Sequence, residues 1–324
     1  MKSHFKYLAI FTLFLTINFY GCGDGSNPVD ETIEPEPNIE FEAVGTESTL
    51  DFATWNLEWF GDTGNGPSNE DLQLENIRFV ISGLDMDIWS VQEVTGASQF
   101  NDLLTELDGY NGFLANDELV TNGPEYYSDF GNNEQKVGLI YKSDMASITS
   151  AEVILTDYDY EFAGRPPVEV LLNTTIGGIS QELVVILLHA KCCTGNEDHE
   201  RKVAGAEALK SYLDQNRPND LVMVIGDFND DVDVSISSGQ ESAYKNFVDD
   251  SQNYIFPTIA LSDSNMSSTV FYSDVIDHHL NTDELYNLYI ENSVLSFPAD
   301  DYVINYSETT SDHYPILSRY TLAP

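Results

Sequence analysis

The stretch Leu221-Val222-Met223-Val224-Ile225-Gly226-Asp227-Phe228-Asn229-Asp230 decides how this chain is read. Its apolar, largely β-branched half makes a buried strand. A glycine stops the strand, and a carboxylate, an amide and a second carboxylate follow at once. Such a run sets acidic and amide oxygens at the mouth of a sheet, where hard cations and phosphate chemistry need them. Strand-Gly-Asp also makes ordinary turns, so the run means little by itself. Other apolar runs end in polar groups of the same kind, at Asn56, at Glu93, at His189 and at Asp312 with His313.

Working outward, Leu50 to Trp55, Ile88 to Val91, Val137 to Tyr141, Val168 to Leu172 and Leu183 to Leu188 read as further short, apolar strands. Asp71 to Leu84 and Glu200 to Leu213 have helical spacing with polar faces, and Phe100 to Leu107 is a shorter candidate. Buried strands with flanking helices imply sheets packed on each other and covered by helices. No internal repeat or second linker interrupts residues 49–324, which read as one catalytic domain.

The 324-residue chain carries 13 Lys and Arg against 55 Asp and Glu, a formal charge of −42. This is a solvated acidic surface. It excludes a generic polyanion binder, because so few cations cannot make a wide basic face. Lys2 and Lys6 precede an apolar run, Tyr7 to Tyr20, that is short for a membrane span and is followed by Gly21-Cys22. Residues 1–21 therefore read as a lipoprotein-type signal with Cys22 as the lipidated residue. A plain secretory signal is the alternative, without an obvious small-x-small cleavage site. Residues 22–48, with Glu34-Pro35-Glu36-Pro37, read as an acidic flexible tether. Cys192 and Cys193 are adjacent, with Cα atoms about 3.8 Å apart across a trans peptide, and read as small apolar fillers at a strand end. A vicinal bridge there would be strained.

Seven motifs in order carry a resemblance: Trp55-Asn56-Leu57-Glu58, Gln92-Glu93-Val94, Arg165-Pro166-Pro167, Leu188-His189-Ala190-Lys191, Gly226-Asp227-Phe228-Asn229, Ile276-Asp277-His278 and Ser311-Asp312-His313-Tyr314-Pro315. In these the chain resembles the endonuclease/exonuclease/phosphatase superfamily, and within it the deoxyribonuclease I branch, over about residues 50–324. The resemblance implies an α/β fold, a four-layer α/β/β/α sandwich of two packed sheets with the site at one end. It implies that His189 and His313 face each other across the scissile phosphate. His313 would be the water-activating base or its partner, oriented by Asp277, and His189 would donate to a phosphoryl oxygen or the leaving group. Asp227 would position the water and Asn229 would bond the phosphoryl oxygens.

The residue chemistry agrees. Glu93, with Asn56 beside it and Asp312 as a further contact, suits Mg²⁺, with Mn²⁺ or Ca²⁺ as alternatives. A carboxylate neighbour raises imidazole basicity and fixes its tautomer, which favours His313 over a lone structural histidine. Arg165 and Lys191 are cations suited to the substrate phosphate in a chain poor in cations. His278 and His279 point to opposite faces of a strand and read as bystanders.

Departures concern the grip on duplex DNA. Thr95 stands where the resembling branch has an arginine, Asn132 to Lys136 lacks a clear counterpart of its sugar-packing tyrosine, and Gln135 or Glu134 stands for its histidine-pairing glutamate. The expectation is a monomeric, extracytoplasmic, membrane-anchored nuclease acting on DNA ahead of RNA. A phospholipid hydrolase of the sphingomyelinase or phosphoinositide type and a non-catalytic surface-binding lipoprotein are the alternatives.

Overall fold

The computed structural model describes residues 38–127 and 134–322, all within the unit Pro37–Pro324. The expected signal, Cys22 and most of the tether lie outside the described residues. Thirteen strands occur among the described residues: β1 (Leu50–Phe60), β2 (Ile88–Val94), β3 (Tyr110–Leu114), β4 (Val120–Thr121), β5 (Lys136–Lys142), β6 (Ala146–Val153), β7 (Val168–Ile176), β8 (Ile179–His189), β9 (Val222–Asp227), β10 (Tyr254–Ile255), β11 (Asp277–Thr282), β12 (Leu295–Ser296) and β13 (Ile316–Tyr320). They form a six-stranded sheet, β12-β13-β1-β2-β5-β3, and a seven-stranded sheet, β10-β11-β9-β8-β7-β6-β4.

Alternation along each strand sorts its side chains between two covered faces. Phe52, Ile88, Leu139, Leu172, Leu187, Met223 and Ile225 meet between the sheets. On the outer face of the first sheet, Ala53, Trp55, Trp89 and Val91 pack on Ile77, Val80 and Ile81 of the helix Glu70–Leu84. Phe100 and Leu103 of the helix Ala97–Glu106 join that cluster. On the outer face of the second sheet, Val184, Ile186, Leu188, Val222 and Val224 pack on Ala206, Leu209 and Leu213 of the helix Asn196–Asn216. The result is the four-layer α/β/β/α sandwich that the motifs implied.

The same parity aims the polar residues. Odd positions of β9 face the inter-sheet core, so Asp227 faces inward at its upper end. Asn56 continues the inward series of Phe52, and His189 that of Leu183, Val185 and Leu187. Leu280 of β11 packs outside, so Asp277 and His279 face in and His278 faces out. Register completes the alignment: His189 pairs with Asp227 across parallel β8 and β9, and Asp227 with Asp277 across antiparallel β9 and β11. Gly226 permits this close approach. Its φ is +152°, and a Cβ there would lie 1.8 Å from the Leu188 carbonyl oxygen.

Several expectations are corrected. The strand read at His278 and His279 is present as β11, but although its composition DHHLNT is mostly polar, every residue in it is buried. Its polar groups find partners, such as Ser318 Oγ at 2.6 Å from His279 Nδ1. The tether ends earlier than residue 48. The Ile39 amide donates to the Tyr302 carbonyl at 2.8 Å, and Phe41 packs on Phe79, Phe297 and Tyr302. One aromatic side chain in an otherwise polar segment is enough to tie it down. Cys192 and Cys193 are exposed loop residues, not fillers, because β8 already ends at His189. Asp312 and His313 do not end an apolar run; they lie in the turn before β13.

Candidate active site

The inward-facing residues converge where the inter-sheet core gives way to polar groups. β1 and β2 lose regular register after Asn56, and Glu58, Trp59 and Glu93 take φ values of 46°, 54° and 59°. Such left-handed backbone costs free energy in non-glycine residues and gathers at functional sites. Here it turns Glu58 and Glu93 over the sheet ends. The Trp59 amide donates to Glu93 Oε2 at 3.3 Å.

Asn56 is committed at both ends. Its Nδ2 donates to Asp227 Oδ2 at 3.1 Å, and its Oδ1 accepts from the Glu58 amide at 3.0 Å. Asp227 Oδ1 accepts the Asn229 amide at 2.8 Å, and Asn229 Nδ2 donates to the Ala190 carbonyl at 3.2 Å. His313 is held through its backbone. Trp55 Nε1 and Tyr306 Oη donate to its carbonyl, and its amide donates to Ser311 Oγ, which in turn donates to the Asn56 carbonyl. Its Nδ1 sits 2.8 Å from Asp277 Oδ2, while Asp312 Oδ1 is 3.8 Å from Nε2. His189 Nε2 lies 3.6 Å from Glu93 Oε1 and 3.7 Å from Asp227 Oδ2.

The electrostatics push the two histidines apart. Burial opposes charge on His313, but Asp277, with Asp227 and Asp312 behind it, outweighs burial and raises its pKa well above 6.5. Burial lowers His189 well below 6.5, and the nearby charges of Arg165 and His313 lower it further. At neutral pH one imidazole is charged and the other neutral. Burial, then repulsion from Asp277, raises Asp227 to about 7. Divergent pKa values within one cleft are what acid–base assignments look like.

Two centres could attract a cation. Ligating atoms of Asp227, Asp277 and His313 lie within 4.8 Å of one another. There the third group is an imidazole paired through Nδ1 to Asp277, a poor partner for a hard ion. The second centre is carboxylate-only. Burial, then Asp312 and Glu93, raises Glu58 to about 7. Glu93 is likewise raised, by burial first, with Asp312 adding to it. Glu58 Oε2 is buried and has no partner among the described residues. Glu58 and Glu93 feel each other and Asp312 as like charges, and the orphaned Glu58 oxygen would suit a divalent cation such as Mg²⁺, but this set is looser than the Asp227, Asp277 and His313 group, the one set of three whose ligating atoms lie within 4.8 Å of one another among the described residues. Glu58 stands in the Trp55-Asn56-Leu57-Glu58 motif, where nothing local gives it a role. Its place two residues beyond Asn56, on the same side of a strand, was the available signal.

The expected phosphate-binding cations are less free. Arg165 donates through Nη1 to Gln135 Oε1 and through Nη2 to the Ala190 carbonyl. Lys191 turns out of the site onto Asp198 at 2.7 Å. An acidic chain offers a lysine many nearer partners than a distant phosphate. Thr95 is buried and bonded to the Phe60 carbonyl, and positions 132–133 lie outside the described residues. His278 is structural, bonded to Thr258 Oγ1 at 2.8 Å and packed on Phe228 and Phe256.

A fold and site of this kind define a phosphoesterase of the paired-sheet class. The profile of the Endonuclease/Exonuclease/phosphatase family matches residues 53–313, and the chain belongs to that family. Its members are hydrolases acting on phosphodiester bonds and are generally dependent on a divalent metal. No curated protein matches the chain. Among solved structures, the human Nocturnin catalytic domain with bound sulfate is similar at 18% identity and TM-score 0.58, over 84% of this chain and 94% of that one. D. rerio TDP2 complexed with a single-strand DNA product is similar at 12% identity and TM-score 0.56, over 85% and 99%. A mannosyl-6-phosphatase from Bacteroides thetaiotaomicron is similar at 15% identity and TM-score 0.50, over 83% and 98%.

Proposed function

We propose that this protein is a Mg²⁺-dependent phosphodiesterase that hydrolyses nucleic acid, DNA ahead of RNA. The observation that carries the reading is the cluster at the sheet ends: His313 held by Asp277 at 2.8 Å, and buried Asp227 3.7 Å from His189, with burial and Asp277 raising the Asp227 carboxyl. Asp227 takes the proton of the attacking water. This moves the base role from His313, which its own charge leaves as a clamp on the phosphoryl oxygens. Neutral His189 and the Asn229 amide complete the set of groups that meet those oxygens. A divalent cation bound by Glu58, Glu93 and Asp312 would polarise the phosphoryl group and stabilise the leaving oxygen.

Support for a nucleic-acid substrate comes from the rim. A hollow of about 460 Å³ beside Asn229 is lined by Cys193, Ile236, Thr269, Tyr272 and Ile276. Tyr272 is 71% exposed and Phe271 65%. Exposed rings next to a phosphate site suit base stacking, which needs few cations. The solved TDP2 bound to a DNA product and the mannosyl-6-phosphatase share this fold, so substrate choice rests on rims of this kind. The setting proposed is extracytoplasmic, as a monomer anchored through lipid on Cys22. Among the described residues no helix is long and apolar enough to cross a membrane.

The test is hydrolysis by the purified protein with Mg²⁺ of plasmid DNA, single-stranded DNA, RNA and sphingomyelin in parallel. Cleavage of DNA that EDTA abolishes is the expected result. Turnover of sphingomyelin alone would replace the nuclease reading with a lipid one, in which Phe271 and Tyr272 enter the bilayer. Mass spectrometry of the mature N-terminus checks Cys22.

A further inference from the structure

Cys192 and Cys193 stand in the loop that leaves β8, three and four residues beyond His189. Neighbouring side chains on extended backbone point to opposite sides. Here Cys193 takes φ +82°, and both exposed thiols come to one side with their sulfurs 2.7 Å apart. Lys191 Nζ lies 3.5 Å from Cys192 Sγ.

The loop is wired to the active site. Lys202 is only 2% exposed. Its Nζ donates to the Cys193 carbonyl at 3.3 Å and to the Asn229 carbonyl at 2.7 Å, and lies 3.7 Å from Asp230 Oδ1. Asn229 also bonds the Ala190 carbonyl just upstream of the cysteines. Asn229 is therefore tied to the Ala190 carbonyl at the head of the cysteine loop and to Lys202 of the following helix, whose ammonium it shares with the Cys193 carbonyl.

We propose that Cys192 and Cys193 form a reversible vicinal disulfide that fixes the loop and, through Lys202, the position of Asn229. The reaction partner is a low-molecular-weight disulfide. The Cys192 thiolate attacks one of its sulfurs, the external S–S bond breaks, and one thiolate leaves. Cys193 then loses its proton and attacks the Cys192 sulfur of the mixed disulfide, expelling the second thiolate. Two cysteine thiols are oxidised, one external disulfide is reduced to two thiols, and the two protons end on those thiols. Cα atoms about 3.8 Å apart fall short of the usual disulfide minimum of about 4.4 Å, so the ring is strained and easily reduced. Strained, exposed disulfides are the labile, regulatory ones.

The influence on Asn229 rests on the proposed phosphodiesterase reading, whereas the chemistry at the cysteines does not. The full chain is equilibrated in glutathione buffers of graded ratio, trapped with acid, alkylated and digested with trypsin, and the peptide Cys192–Arg201 is weighed. The expected result is a species lighter by two hydrogens, closed to alkylation and restored by dithiothreitol. Stable glutathione adducts, or cysteines open to alkylation at every ratio, would overturn the disulfide. For the coupling, KM should be lower in the oxidised form by about two- to tenfold, the range that a chain of packed contacts carries. Cys192→Ser should abolish that difference while hydrolysing at the rate of the reduced form. Equal KM in the two forms overturns the coupling. If neither form hydrolyses any phosphodiester, the proposed activity has failed, and the peptide mass still decides the disulfide.

Discussion

Replacing Asp277 by Asn removes one charge from the centre of the site and leaves its shape. Asp277 is fully buried, 2.8 Å from His313 Nδ1, and next to Asp227 in register. It acts on both partners with opposite chemical sense but the same direction. Against burial, it is the chief cause that raises His313, and after burial it is the chief cause that raises Asp227. Losing it lowers both pKa values. If Asp227 must be ionised and His313 protonated, the acid and alkaline limbs of kcat/KM both move to lower pH in Asp277→Asn. The peak rate also falls by about 10²-fold or more, because the imidazole loses its orienting partner. The stability cost is capped. Breaking a buried ion pair costs about 3–5 kcal/mol when the remaining charge is trapped, but His313 can shed its proton once its pKa drops. The assay is kcat/KM from pH 5 to 9 at saturating Mg²⁺, with urea unfolding alongside. An alkaline limb that stays in place would show that His313 protonation does not set it. An acid limb moving upward would show that Asp227 is not the base.

Further predictions follow from other parts of the molecule. His189→Ala and His313→Ala should each cost about 10²-fold in rate, with the double variant losing far less than the product, by single-turnover kinetics. His278→Ala should instead cost stability, about 2–4 kcal/mol by urea unfolding, and leave kcat nearly unchanged, because it empties a buried, hydrogen-bonded site. Burial, then repulsion from Asp51, raises Asp87 to about 7. A raised carboxyl destabilises when ionised, so its penalty is absent below about pH 4 and grows as pH rises toward 7, to roughly 2–4 kcal/mol. Asp87→Asn should flatten that decline in urea unfolding between pH 4 and 7.5. Phe41→Ala should cost about 1–3 kcal/mol by the same measurement, if residues 38–49 belong to the folded body. With free Mg²⁺ fixed, kcat/KM on DNA should rise or stay level from 0.01 to 0.1 M NaCl. A net charge of −42 repels the substrate at long range, and a steep fall would reveal a concentrated basic groove.

The sequence alone determined the strands that carry the site and the faces their residues take. Val222 to Ile225 and Leu183 to Leu188 are apolar at every position, which marks strands covered on both faces, and a period of two puts Asp227 on the side of Met223 and Ile225 and His189 on that of Val185 and Leu187, while packing decides which side lies between the sheets. It placed His278 and His279 on a strand but could not show that all of DHHLNT is buried, because the partners of its polar side chains come from Thr258, Ser318 and Tyr320, far away in the chain. Nor could it show that Glu58 joins Glu93 and Asp312, since φ reversals at Glu58 and Glu93 bring them over the sheet ends. The loss of Lys191 to Asp198 and of Arg165 to Gln135 and Ala190 was equally hidden. Parity and composition are local properties of a chain. Charge state, ion pairing and the sharing of Lys202 between Cys193 and Asn229 depend on which distant groups are close, and only tertiary packing sets those distances.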